Sequence, residues 1–149
     1  MFTRKLLLAA PLLFLASLAS AFAEWETDYD KALQKAKAEN KQVLLDFTGS
    51  DWCGPCIQLN KSVFATKEFR AYAEKNLVFV EVDYPRAKKL TAELVKQNEK
   101  LGKEYGIEEK GFPTLVLLDS SGKVVRELTG YDGEVTSDVV AWIEGKGNR

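Results

Sequence analysis

The chain has 149 residues, 46% of them hydrophobic and 29% charged, with a formal net charge of −1. That is enough chain for one domain with an ordinary core, and too balanced in charge to offer nucleic acid or an anionic membrane a basic surface. Histidine is absent and cysteine occurs twice, which excludes a His general base, any His-containing metal site and a structural zinc tetrad, so neither metal nor cofactor is expected.

The first 23 residues read as a targeting segment rather than as part of the fold. Arg4 and Lys5 make a basic start, Leu6 to Leu15 an apolar run, and Ala21-Phe22-Ala23 a small-residue cleavage site. Export by this route puts the product in the periplasm or outside the cell, and divides the chain into a signal peptide at 1–23 and a folded domain at 24–149. Removing Arg4 and Lys5 moves the formal charge from −1 to −3. The uncharged run from Leu6 to Ala23 is 18 residues long, so an uncleaved membrane anchor is the alternative.

Thr27 is placed to cap a first helix, with Asp30 three residues on, and Tyr29, Ala32, Leu33 and Ala36 repeat at helical spacing to about Asn40. Gln42 to Phe47 is a short apolar run that reads as a buried strand. A loop over Thr48 to Trp52 leads to Cys53, where a helix opens and breaks near Ala65. Thr66 then caps Phe69 to Lys75. Leu77 to Asp83 is a second strand. A linker through Tyr84, Pro85 and Arg86 leads to a polar helix from Thr91 to Tyr105, stopped by Gly106. Thr114 to Leu118 and Val124 to Leu128 flank Asp119-Ser120-Ser121-Gly122 as an antiparallel hairpin. Ser137 to Glu144 closes the chain as a helix whose Trp142 is a core residue. Strands joined through a helix run parallel, and the hairpin adds an antiparallel pair, so an α/β fold is expected: a mixed central sheet of about four to five strands with helices on both faces.

The chemistry centres on Trp52-Cys53-Gly54-Pro55-Cys56. Two thiols three apart can close a disulfide within one helical turn, and the helix start favours a thiolate on the first, which faces solvent while the second tucks inward. Pro55 loses no intrahelical bond there. In this reading Cys53 attacks and Cys56 resolves. A static bridge is the weaker alternative, because closing so small a loop removes little chain entropy. Asp46 ends an apolar strand, where a desolvated carboxylate with a raised pKa could take the proton of Cys56; the competing reading is a strand end that meets water. Trp52, next to the nucleophile in a loop, suits a substrate-contact surface. Glu81 interrupts an apolar strand either as a second carboxylate near the site or as a solvated strand end, and Gly130 either lines the same groove or serves a turn. Arg86, Lys88 and Lys89 read as a solvated basic face.

Val43-Leu44-Leu45-Asp46-Phe47, Trp52-Cys53-Gly54-Pro55-Cys56, Tyr105-Gly106-Ile107 and Gly111-Phe112-Pro113-Thr114 resemble, in that order, the thioredoxin superfamily. Phe47-Thr48-Gly49-Ser50-Asp51-Trp52-Cys53, Val80-Glu81-Val82-Asp83-Tyr84-Pro85 and Gln97-Asn98-Glu99 resemble its exported thiol-disulfide oxidoreductases of the DsbH type, the first two also the C-terminal domain of DsbD. The resemblance implies the thioredoxin fold, a cis bond at Phe112–Pro113 facing the dithiol, and a substrate segment pairing along Phe112. It associates Gly54-Pro55 with reducing members, so the implied activity is reduction of disulfides in exported proteins by a dithiol recharged from a DsbD-like membrane electron donor; with no obvious oligomerisation segment in the sequence, a monomer is expected. The alternatives are a disulfide oxidase or isomerase, or a client-binding module switched by redox state. Three departures from cytoplasmic thioredoxin stand out. The loop from Asp46 to Cys53 is one residue longer, Glu108 to Lys110 lengthen the approach to Pro113, and Phe79 or Val80 replaces the lysine expected beside the buried aspartate.

Overall fold

The structure, a computed structural model, describes residues 24–147, so the expected signal segment at 1–23 lies outside the described residues. Among the described residues no helix is long and apolar enough to cross a membrane. The elements run α1 (Tyr29–Glu39), β1 (Gln42–Thr48), α2 (Gly54–Leu59), α3 (Lys67–Asn76), β2 (Leu77–Asp83), α4 (Ala92–Glu104), α5 (Ile107–Lys110), β3 (Thr114–Leu118), β4 (Val124–Thr129) and α6 (Thr136–Ile143). The strands form one mixed sheet in the order β2-β1-β3-β4. β1 and β2 are parallel, while β3 runs antiparallel to both β1 and β4.

Strand alternation divides the core into two layers. Val43, Leu45 and Phe47 point with Val78, Val80, Val82, Val116 and Leu118 toward Ala32 and Ala36 of α1 and Leu101 of α4. Leu44, Leu77, Phe79, Leu115 and Leu117 point the other way, toward Leu59, Phe64, Phe69 and Trp142. Helices therefore cover both faces, and Trp142 is a core residue, 3% exposed. The polar run in α4 is a set of ties. Gln97 accepts from the Tyr29 N–H at 2.9 Å, and Asn98 Nδ2 donates to the Asp83 carbonyl at 2.9 Å, pinning α4 to the end of β2.

One local reading needs correction, and two segments take a form that spacing does not supply. Asp28, not Thr27, caps α1: its carboxylate accepts from the Lys31 N–H at 3.0 Å, while the Thr27 carbonyl is engaged by Gln97 Nε2 at 2.9 Å. A short carboxylate one residue nearer the helix reaches the N3 amide that the threonine cannot. The helix opened by the cysteines does stop at Ala65, but through a π-helical turn over Asn60–Phe64 that places both Val63 and Phe64 at 0% exposure. Spacing arguments built on a constant 3.6-residue turn cannot anticipate such a turn. Thr66 caps α3 as expected, accepting from Phe69 N–H at 3.2 Å. Finally, the extension at Glu108–Lys110 is helical: Gly106, at φ 65°, ends α4 and starts α5, and buried Ile107 anchors it.

Candidate active site

The C-terminal ends of the parallel pair β1 and β2 carry the loops that build the site. Ser50 donates to the Asp83 carboxylate twice, from its N–H at 2.9 Å and its hydroxyl at 2.6 Å. The Asp51 carboxylate gathers the N–H groups of Arg86, Ala87 and Lys88 at 2.9, 2.7 and 3.1 Å, and those donors hold its pKa below the usual carboxylate range. The longer loop is thereby laced to the linker after β2. The Gly49 carbonyl then accepts from Cys53 N–H at 2.9 Å and delivers Cys53 to the start of α2.

Cys53 is the N-cap of α2, extended at φ −85° and ψ 102°, with Gly54 and Pro55 in the first turn. Its sulfur accepts from the Cys56 N–H at 3.3 Å and is bonded to Cys56 Sγ, with Cα atoms 5.2 Å apart. The expectation that Cys53 faces solvent is not met: it is 5% exposed against 3% for Cys56. As a cap its side chain folds back over the first turn, and the disulfide holds it there.

Beside the cysteines lies an aromatic surface. The half-buried Trp52 ring meets Phe112 edge-to-face at 5.7 Å, donates from Nε1 to the Tyr84 carbonyl at 2.7 Å, and is covered by the Arg86 guanidinium at 4.0 Å. Tyr84 packs on Phe112 at 5.2 Å and donates to the Asn98 carbonyl; burial pushes its pKa up to about 12. The Phe112–Pro113 bond is cis, Pro113 itself is buried, and its carbonyl accepts from Gly130 N–H at 2.8 Å. Arg86 and Lys88 thus do more than form a solvated face. Arg86 stacks on Trp52, and the Lys88 ammonium lies 3.1 Å from Asp83 and 3.9 Å from Glu81. Five apart in sequence and on opposite sides of the linker, Lys88 and Asp83 give no periodic signal that would have paired them.

Asp46 stands behind the cysteines. It is 5% exposed, and its Oδ1 is buried without a hydrogen-bond partner. Burial, and then the charges of Glu81 and Asp83, push its pKa well above the ordinary aspartate value. Parallel register sets Asp46 opposite Glu81, so the residue beside the buried aspartate is a glutamate. Phe79 pairs with Leu44, one pair further down the same face, and Val80 belongs to the other core layer. Asp46, Glu81 and Cys56 share a cleft of about 210 Å³ with Ser50, Asn60 and Lys61. Of the expected site residues, the structure thus groups Cys53 and Cys56 with Asp46 on one side, and Trp52 with Phe112 on the other. Asp83, Ser50 and Asp51 were missed as supports; alternation of Phe79, Glu81 and Asp83 along β2 was the available signal. Among the described residues no group of three or more acidic or cysteine side chains could hold a metal ion.

A family model for a thioredoxin-like domain matches residues 29–136. The disulfide bond reductase DsbH of Chlamydia pneumoniae is 38% identical over 106 residues, covering 71% of this chain and 62% of that protein. The thioredoxin-related protein DsbJ of the same organism is 31% identical over 115 residues, covering 77% of this chain and 32% of DsbJ. The chain thus spans less than two thirds of the length of either relative. A solved DsbH oxidoreductase structure superposes with a TM-score of 0.74 at 31% identity, covering 95% of this chain and 96% of that one.

Proposed function

The chain belongs to the thioredoxin-like family, and from that premise we propose that it is an exported thiol-disulfide oxidoreductase working in the reducing direction. The observation that carries this reading is the Cys53–Cys56 bond at the start of α2, with Cys56 opening onto the cleft that also holds the Asp46 carboxylate.

In the reduced protein the Cys53 thiolate attacks one sulfur of a client disulfide, forming a mixed disulfide and releasing the other sulfur as a thiolate, which takes a proton from water. Asp46 then takes the proton of the Cys56 thiol. The Cys56 sulfur attacks Cys53 Sγ, the bond from Cys53 to the client breaks, and its electron pair leaves on the second client sulfur. Two electrons pass from the dithiol to the client, and the protein is left in the disulfide form. A carboxylate whose pKa is raised by burial suits this task, because its basicity lies closer to that of a thiol. Trp52 and Phe112 offer the client an aromatic wall, and Pro113 fixes the segment along which a client strand pairs.

The reducing direction is supported by Gly54-Pro55 and by the name of the DsbH relative. Export is supported by the basic, apolar and Ala-Phe-Ala pattern of residues 1–23. A reductant in an oxidising compartment needs electrons, so a DsbD-like membrane donor is the expected partner and exported disulfide-containing proteins the clients. The test is the equilibrium potential of the Cys53–Cys56 pair in a glutathione or dithiothreitol buffer. A value below about −240 mV is expected; a value above about −180 mV makes the protein a disulfide donor or isomerase instead.

A further inference from the structure

The sheet face beneath α2 changes character along its length. Leu44 and Phe79 pair near its middle, Asp46 and Glu81 pair next, and Asp83 follows on β2. Register partners on parallel neighbours project side by side from the same face. Asp83 is fully engaged by Ser50 and by Lys88 at 3.1 Å, whereas Asp46 Oδ1 has no partner at all. Glu81 is the intermediate case: its side chain is 27% exposed, it lines the cleft shared by Asp46 and Cys56, and Lys88 approaches no closer than 3.9 Å.

We propose that Glu81 is a positioning residue for the resolving step, its negative charge on the neighbouring strand making Asp46 a stronger base toward the Cys56 thiol. This rests on the dithiol reading above. The step itself is unchanged. The proton of Cys56 goes to Asp46, the Cys56–Cys53 bond forms, and the electron pair of the broken bond leaves on the client sulfur.

The charges facing Glu81 favour this role. Asp46 faces it from β1, Asp83 from its own strand, Lys88 from the linker and Lys61 from the π-helical turn, while the Glu26 carbonyl takes its N–H at 2.9 Å. Lys88 is closer to Asp83 than to Glu81, and Asp51 holds the Lys88 backbone N–H, so the cation is held toward the Asp83 end of β2. Two carboxylates side by side in a partly desolvated cleft each hold a proton more tightly than either would alone. Burial and the Asp83 charge raise the pKa of Glu81 itself, against the pull of Lys88. Glu81 thus stands beside a buried carboxylate on the neighbouring strand with only the longer of the two Lys88 contacts to offset its charge.

The experiment is a single turnover of the reduced domain with 5,5′-dithiobis(2-nitrobenzoate), followed by stopped-flow absorbance between pH 5 and 9. The first nitrothiobenzoate released reports attack by Cys53, and the second reports resolution by Cys56. In Glu81→Gln the midpoint of the second phase should fall by about one pH unit and its plateau rate several-fold, with the first phase retained. Glu81→Asp should return the midpoint toward the original value. Lys88→Met, which leaves Glu81 less screened, should move the midpoint upward. The inference is overturned if the second-phase profile of Glu81→Gln superimposes on the unmodified protein, if both phases shift together, or if Lys88→Met lowers the midpoint. An unmodified protein that shows no second phase at any pH overturns the dithiol reading and this inference with it; two normal phases with an unaffected variant overturn this inference alone.

Discussion

Replacing Asp46 with asparagine should stabilise the oxidised domain at neutral pH while crippling its turnover. The unfolded carboxyl ionises near pH 3.9, and the folded one at a higher pH because it is buried and faces Glu81 and Asp83. Between those two values the folded protein holds a proton that the unfolded chain has lost. Stability therefore falls as pH rises through that window, by at most about 1.4 kcal/mol per pH unit for one proton. Above the window the domain carries an ionised carboxylate, 5% exposed and with one oxygen unpartnered, a deficit of roughly 1–3 kcal/mol. Asp46→Asn removes the charge and recovers most of that. At about 2 cal/mol/K of unfolding entropy per residue, the gain corresponds to a melting temperature higher by roughly 4–11 °C at pH 8. Denaturant unfolding of both proteins from pH 3 to 9, with the disulfide kept closed, reads the difference directly. It should be small below pH 4, grow with pH and then level off. A variant that is less stable at pH 8, or a difference that does not change with pH, would refute the reasoning. The same substitution should slow the resolving step at neutral pH by about 100-fold or more while leaving attack by Cys53 in place, the loss expected for a general base.

Two further outcomes follow from the site. A Cβ at Gly49 would lie 2.4 Å from the Trp52 ring, so Gly49→Ala should displace that ring, destabilise the domain by about 1–3 kcal/mol and shift its tryptophan fluorescence; combined with Trp52→Ala the penalty should largely vanish, as a double-mutant cycle would show. Cys56→Ser should arrest the reaction at the mixed disulfide on Cys53, visible by mass spectrometry as a client adduct that persists until dithiothreitol is added.

The ends of the elements show how far local chemistry reaches. Thr66 and Gly106 work as caps where their residue types lead one to expect, because a cap depends on a few neighbouring atoms. Asp28 takes the place expected of Thr27 because its carboxylate reaches the Lys31 N–H, while Gln97, 70 residues away in sequence, holds the Thr27 carbonyl. The carboxylate site divides in the same manner. Asp46 could be picked out by its place at the end of an apolar strand. Its pairing with Glu81 depends on strand register, which a one-residue slip would abolish.

Residue type and spacing along the chain sufficed to determine the mixed sheet with helices on both faces and to single out Cys53 and Cys56 as the pair that closes a disulfide. These follow from separations of a few residues and from hydrophobic periods, which are local properties of the sequence. The tertiary structure decided that Lys88 leans on Asp83, that Asp51 laces the longer loop to the linker, that Arg86 covers Trp52, and that Glu81 stands beside Asp46. Each of those contacts joins segments some 5 to 37 residues apart whose meeting depends on where two strands end and in which register they pair, and no local period encodes that.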